Sequence, residues 1–120
     1  MAEGYINNVN ENNVVTITIT STSIDIQHAY ARRVGNVVYV YGALHFTSAL
    51  PTSDTKIGSL DAKLKSPGHT NWTIQKTEND SGTTVSYGYL GVDGEGNIYV
   101  RQGGSSDTRW LYCHSSFLCR

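Results

Sequence analysis

The stretch Arg32–Phe46 constrains this chain more than any other. It reads Arg-Arg-Val-Gly-Asn-Val-Val-Tyr-Val-Tyr-Gly-Ala-Leu-His-Phe and is rich in β-branched and aromatic residues on both parities. A strand turns successive side chains to opposite faces, so Val38, Val40, Leu44 and Phe46 share one face, and Val37, Tyr39, Tyr41 and Ala43 share the other. Both faces therefore ask for a covering layer. One can be the domain's own core; the other needs a second layer or another subunit. Gly35-Asn36, between Val34 and Val37, reads as a two-residue turn, because both residue types accept a positive φ, and it predicts a tight hairpin between the strands on either side.

The rest of the chain repeats this grammar. Val15, Ile17 and Ile19 alternate with threonines, a half-buried strand pattern. Ile24–Ile26 resumes it briefly, and His28–Val34 forms the other arm of the hairpin. Further strands are predicted at 56–62, 71–77, 83–92, 97–102 and 109–114, and residues 115–120 end the chain. Turns are predicted at Lys65-Ser66-Pro67-Gly68, at 78–82 and at Asp93-Gly94-Glu95-Gly96. No segment carries the apolar period of an ordinary helix. Eight or nine closely spaced strands with turn signals predict an all-β sandwich, jelly roll or barrel. Residues 1–13, polar and Asn-rich, read as an N-terminal arm or linker, and 14–120 as one β domain.

Composition removes several function classes. Nine basic residues stand against ten acidic ones, for a net charge of −1, so no basic field points to nucleic acid. No apolar run is long enough to span a membrane. Cys113 and Cys119 are too few for a disulfide framework or a structural zinc site; Cys113 reads as a small buried residue, with a bridge between the two as the alternative. No nucleophile elbow, phosphate loop or metalloprotease motif is present, and no cofactor is expected. Asp93-Gly94-Glu95-Gly96-Asn97 reads as a hairpin turn rather than a phosphate cradle or a calcium loop, and no metal site is expected. The carboxylates are scattered over turns, and nothing selects a facing pair of the kind a glycosidase needs.

What remains is a binding surface. Sugars are held by flat aromatic rings against their C–H faces and by Asp, Asn, Arg or His on their hydroxyls. Two places have this mix: His69-Thr70-Asn71-Trp72 after a Pro-Gly turn, and Asp107-Thr108-Arg109-Trp110 after a glycine pair. The candidate saccharide ligands are therefore Trp110, Asp107, Arg109, Trp72, His69 and Asn71. The competing reading places both tryptophans in the core and leaves the polar flanks, Asp107 and Arg109 above all, as the solvent-facing groups.

Three stretches together, Arg33–Leu44, Lys56–Pro67 and Leu90–Arg101, resemble the C-terminal receptor-binding head domains of bacteriophage tail fibres and baseplate proteins. Gly35-Asn36-Val37-Val38 stands where those domains carry their early hairpin, Leu60–Pro67 where they carry a Leu…Pro segment, and Gly96-Asn97-Ile98-Tyr99-Val100 where they carry their late hairpin. The middle segment lacks the usual Leu-Pro dipeptide. The resemblance covers roughly residues 14–112. It implies a jelly-roll-like antiparallel β-sandwich, assembled as a homotrimer at the tail tip of the virion, that attaches to host-cell-surface saccharide without catalysis or membrane insertion. It transfers no ligand residue. A trimer would give Val37, Tyr39 and Tyr41 a role as subunit contact; in a monomer they would need cover from residues 1–13. The rival readings are a trimerisation or tail-assembly module without a ligand, and a glycan-degrading enzyme.

Overall fold

The computed structural model describes residues 14–61, 70–82, 85–104 and 107–118. Among the described residues nine strands, all antiparallel, follow in chain order: β1 Val14–Val15, β2 Ile17–Ile19, β3 Ile24–Val34, β4 Val37–Phe46, β5 Thr55–Leu60, β6 Asn71–Glu78, β7 Val85–Val92, β8 Asn97–Gln102 and β9 Trp110–Leu118. They form one sheet in the order β1-β3-β4-β9-β6-β7-β8-β5-β2. Its two outermost strands, β1 and β2, are separated in sequence by Thr16 alone. One extended segment thus pairs first with β3 and then with β5, and the sheet nearly closes on itself. Closure removes the exposed edges that would otherwise template pairing with other chains. The all-β antiparallel architecture expected from the sequence is the one observed.

The Arg32–Phe46 stretch behaves as its alternation requires. Val38, Val40, Leu44 and Phe46 are buried, whereas Tyr39 and Tyr41 are exposed. Facing strands complete the core with Leu90, Val92, Ile98, Val100, Leu111 and Phe117. At about 25 cal/mol per Å² of apolar surface removed from water, these side chains are the main favourable contribution to folding. Gly35 turns the β3–β4 hairpin at φ 60°. Gly42 sits inside β4 at φ 111°, and a Cβ there would lie 2.1 Å from the His28 carbonyl oxygen, so only glycine lets the two strands approach so closely.

Two boundaries differ from the sequence reading. Ile24–Ile26 and His28–Val34 are one strand, because a bulge between Ile24 and Ile26 absorbs the shift in register without ending the pairing. The last strand runs on to Leu118. Ser115 and Phe117 face inward and Ser116 outward, and the small polar serines hide that alternation in the sequence. Between β6 and β9 only two residue pairs, Thr77–Leu111 and Glu78–Trp110, are in register. Beyond them the Gln75 side chain takes over. Its Oε1 accepts the His114 backbone N–H at 2.8 Å, and its Nε2 donates to Thr73 Oγ1 at 2.7 Å and to Ser115 Oγ.

The Asp93–Asn97 turn is a turn and uses its carboxylate for that purpose. Asp93 Oδ1 accepts the backbone N–H groups of Glu95 and Asn97 at 3.0 and 2.9 Å. Cys113 is a buried free thiol; Cys119, like His69, lies outside the described residues.

Candidate functional site

Both sequence-predicted clusters carry their tryptophan on the outer face of the sheet, at opposite ends of β6. Along β6 the outward positions are Trp72, Ile74, Lys76 and Glu78, and Trp110 stands opposite Glu78. Six residues of strand separate the two ends, roughly 20 Å at about 3.3 Å per residue.

At the Glu78 end the register lines up Ile26, His45, Trp110 and Glu78 across four adjacent strands. His45 Nδ1 lies 2.6 Å from Asp25 Oδ1, and its Nε2 lies 2.6 Å from Asp80 Oδ1 in the β6–β7 turn. Carboxylates only accept when ionised, so an imidazole satisfies both by carrying a proton on each nitrogen. Burial opposes that charge, and the two carboxylates outweigh it, holding the His45 pKa above its ordinary value. Arg109 extends the network: Nε donates to Asp107 Oδ1 at 2.7 Å, Nη2 to Asp107 Oδ2 at 3.3 Å and Nη1 to the Thr47 carbonyl at 2.9 Å. Backbone bonds fix its position, from Arg109 N to Glu78 O at 2.9 Å and from Phe46 N to Arg109 O at 2.8 Å.

Trp110 is half-buried, with the His45 ring 4.6 Å from its own and the Tyr112 ring 6.4 Å away at 19°. The Tyr112 hydroxyl donates to Glu78 Oε1. The Lys76 ammonium lies 5.3 Å from the Tyr112 ring and 3.7 Å from Glu78. This end therefore combines stacked rings with carboxylates, a guanidinium and an imidazole, all held by defined partners.

At the other end Trp72 pairs across the strands with Gly91. A Cβ on Gly91 would meet the indole at 2.7–2.8 Å, so the ring lies against bare glycine backbone. It keeps 37% of its surface exposed. The Arg101 guanidinium stands 5.7 Å from the Trp72 ring centroid and 4.5 Å from that of Tyr89, with Asp54 3.4 Å from its Nε. Tyr87 continues the row, edge-on to Tyr89 at 5.9 Å and packed against Gly103. Asn71 has the opposite parity to Trp72 and is half-buried, so the structure does not bring these two together on one face.

The structure thus gathers Asp107, Arg109 and Trp110 in one cluster and puts Trp72 in another. Sequence reasoning missed Asp25, His45, Glu78, Asp80 and Tyr112 at the first, and Tyr89 and Arg101 at the second. Tyr112 was available as an outward neighbour of Trp110 at i+2. Asp25 and Asp80 carry no local signal, because only the strand pairing brings them to His45. Elsewhere on the outer surface Tyr39 and Tyr41 are 44% and 42% exposed, Val37 is half-buried, and Tyr30 packs on Tyr41 at 5.9 Å. Tyr39, Tyr41, Arg32 and His114 line a groove of about 500 Å³.

No family model and no curated protein matches the chain. Among solved structures, the head domain of the lactococcal phage bIL170, described in connection with a common fold for the receptor-binding domains of lactococcal phages, superposes with a TM-score of 0.64. The match covers 88% of this chain and 100% of that one, at 13% sequence identity. The fold of this chain is that of a phage receptor-binding head domain, as the sequence resemblance implied.

Proposed function

We propose that this domain is a receptor-binding head of a bacteriophage tail, which attaches the virion to saccharide on the host-cell surface and does no chemistry on it. The observation that carries the reading is Trp72, an indole lying on glycine backbone with its outward surface free and a guanidinium at its side. That is the arrangement in which an aromatic ring receives the C–H face of a sugar while a polar group bonds its hydroxyls. The phage-head fold supports the same reading. The carboxylates around Trp110 are engaged with His45, Arg109 and Tyr112, which suits binding better than acid–base catalysis.

We assign Trp72 with Arg101, and Trp110 with Asp107 and Arg109, to the saccharide surface. His69 precedes Trp72 by three positions in sequence and belongs to the same proposal; Asn71, on the opposite face of β6, is not assigned to that surface. The half-buried Val37 and the exposed Tyr39 and Tyr41 beyond it are assigned to the contact between subunits of a homotrimer, since aromatic residues are enriched at interfaces.

Binding of the protein to purified cell-wall polysaccharide of a susceptible bacterium tests the site. Trp72→Ala and Trp110→Ala are each expected to weaken it with the fold intact; unchanged binding in both sinks the assignment. New reducing ends on incubation would make the domain an enzyme. Light scattering at the eluted peak tests the trimer, and a monomeric mass removes it.

A further inference from the structure

We infer that the Trp72 and Trp110 ends form one continuous surface, and that its ligand is an internal run of a polysaccharide chain, several sugar rings long, rather than a single sugar or a chain end. The inference rests on the saccharide reading above and adds the class of ligand. β6 connects the two ends without a break, and Trp72, Ile74, Lys76 and Glu78 follow one another along its outward face at alternate positions. Both of its neighbours are antiparallel to it, and its register with β7 is unbroken from Asn71 to Glu78. The strip therefore lies on the outer face of a sheet, roughly 20 Å long from Trp72 to Trp110.

The side chains between the ends suit the same ligand. Ile74 is 68% exposed and Tyr87 44%, which is unusual for large apolar residues on a sheet facing water. Lys76 and Tyr112 follow, joined by their cation–ring contact. Apolar surface thus alternates with groups that donate or accept hydrogen bonds: Trp72 beside Arg101, then Ile74 and Tyr89, then Lys76 and Glu78, then Trp110 beside Arg109. A polysaccharide presents the same alternation of C–H faces and hydroxyls. A single sugar can reach only one of the two rings, so the second tryptophan contributes only when the chain continues. Once one ring is engaged, contact with the other is intramolecular and raises the affinity without any new kind of contact.

Titration calorimetry of the intact protein with size-fractionated oligosaccharides tests this. The fragments come from partial acid hydrolysis of the bound cell-wall polysaccharide and run from disaccharides upward. Affinity is expected to rise by about tenfold or more at a threshold length and then to level off. Trp72→Ala and Trp110→Ala should each erase that rise. Ile74→Asp, at an exposed position that leaves the core untouched, should erase it too, with an unchanged circular dichroism spectrum. Disaccharides that bind as tightly as long fragments, or a rise that survives either tryptophan variant, overturn the inference while leaving saccharide binding intact. Failure of every fragment and of the polymer to bind overturns the saccharide reading itself, and this inference with it.

Discussion

Asp25, on β3, and Asp80, in the β6–β7 turn, are held to one another by a single imidazole: each lies 2.6 Å from a different ring nitrogen of His45. The clamp sets a pH dependence. The His45 pKa is raised, with burial working against the charge and the bonds to Asp25 and Asp80 outweighing it; the Asp25 pKa is lowered, chiefly by the bond from His45. A raised histidine contributes stability that is complete below its ordinary pKa of about 6.5 and is lost as pH rises through the folded value. A lowered aspartate contributes stability present above its ordinary pKa of about 4 and lost as pH falls through the folded value. The clamp therefore contributes most between those limits. Melting temperatures of the wild type and His45→Gln, measured from pH 4 to 9, should differ most near pH 5 and converge on the alkaline side. A difference that stays constant with pH would show that the imidazolium is not what joins the two carboxylates.

Gln75 stands in for part of a ladder. Where β6 and β9 separate, its amide accepts from the His114 backbone and donates to Thr73 and Ser115. Gln75→Leu keeps much of the volume and removes every one of those bonds. Leaving buried polar partners unsatisfied costs about 1–3 kcal/mol, and the midpoint of urea unfolding should move down accordingly. Hydrogen exchange localises the effect: the His114 amide should lose protection while β7 and β8 amides keep theirs.

The strands were legible in the sequence because the β period is two and the core obeys it. The alternation put Val38, Val40, Leu44 and Phe46 on the buried face and Tyr39 and Tyr41 on the exposed one, with Val37 half-buried at the strand's start. The ends of β3 and β9 were less legible. A bulge at Asp25 and two inward- or outward-facing serines carry no hydrophobic signal. The site was half legible for a related reason. Asp107, Arg109 and Trp110 are neighbours in sequence and remain neighbours in space. His45 reaches Asp80 only through the β4–β9–β6 pairing, a relationship across 35 positions that no local pattern records. Gly91 offered no clue to its role, because a glycine beneath a cross-strand tryptophan reads in sequence as a weakened strand.

Cys113 is buried on β9, and burial pushes its thiol pKa up to about 12. The thiolate is the reactive form, and at neutral pH it is essentially absent here. Iodoacetamide should leave Cys113 unmodified in the native protein and label it fully in denaturant, as read by peptide mass mapping. Labelling of the Cys113 peptide under native conditions would mean that β9 opens on the timescale of the reaction.

Gly91→Ala tests whether the backbone beneath Trp72 must be bare. The added Cβ would fall 2.7 Å from the indole and 2.8 Å from the Thr70 methyl group, so one of them must move. Thr70 immediately precedes β6, and Trp72 is held on one side by Arg101, so the outward route for the indole is the open one. The ring then lifts off the sheet, losing its packing on the glycine backbone and its approach to Arg101. Overpacking of this kind costs about 1–3 kcal/mol. Tryptophan fluorescence, compared in Trp110→Phe backgrounds with and without the Gly91 change, should shift to longer wavelength as the indole becomes more exposed. Binding to cell-wall polysaccharide should fall alongside it, because a raised ring no longer offers its face at the height set by its neighbours. An unshifted spectrum with unchanged binding would mean that Thr70 yields instead and that the indole keeps its place.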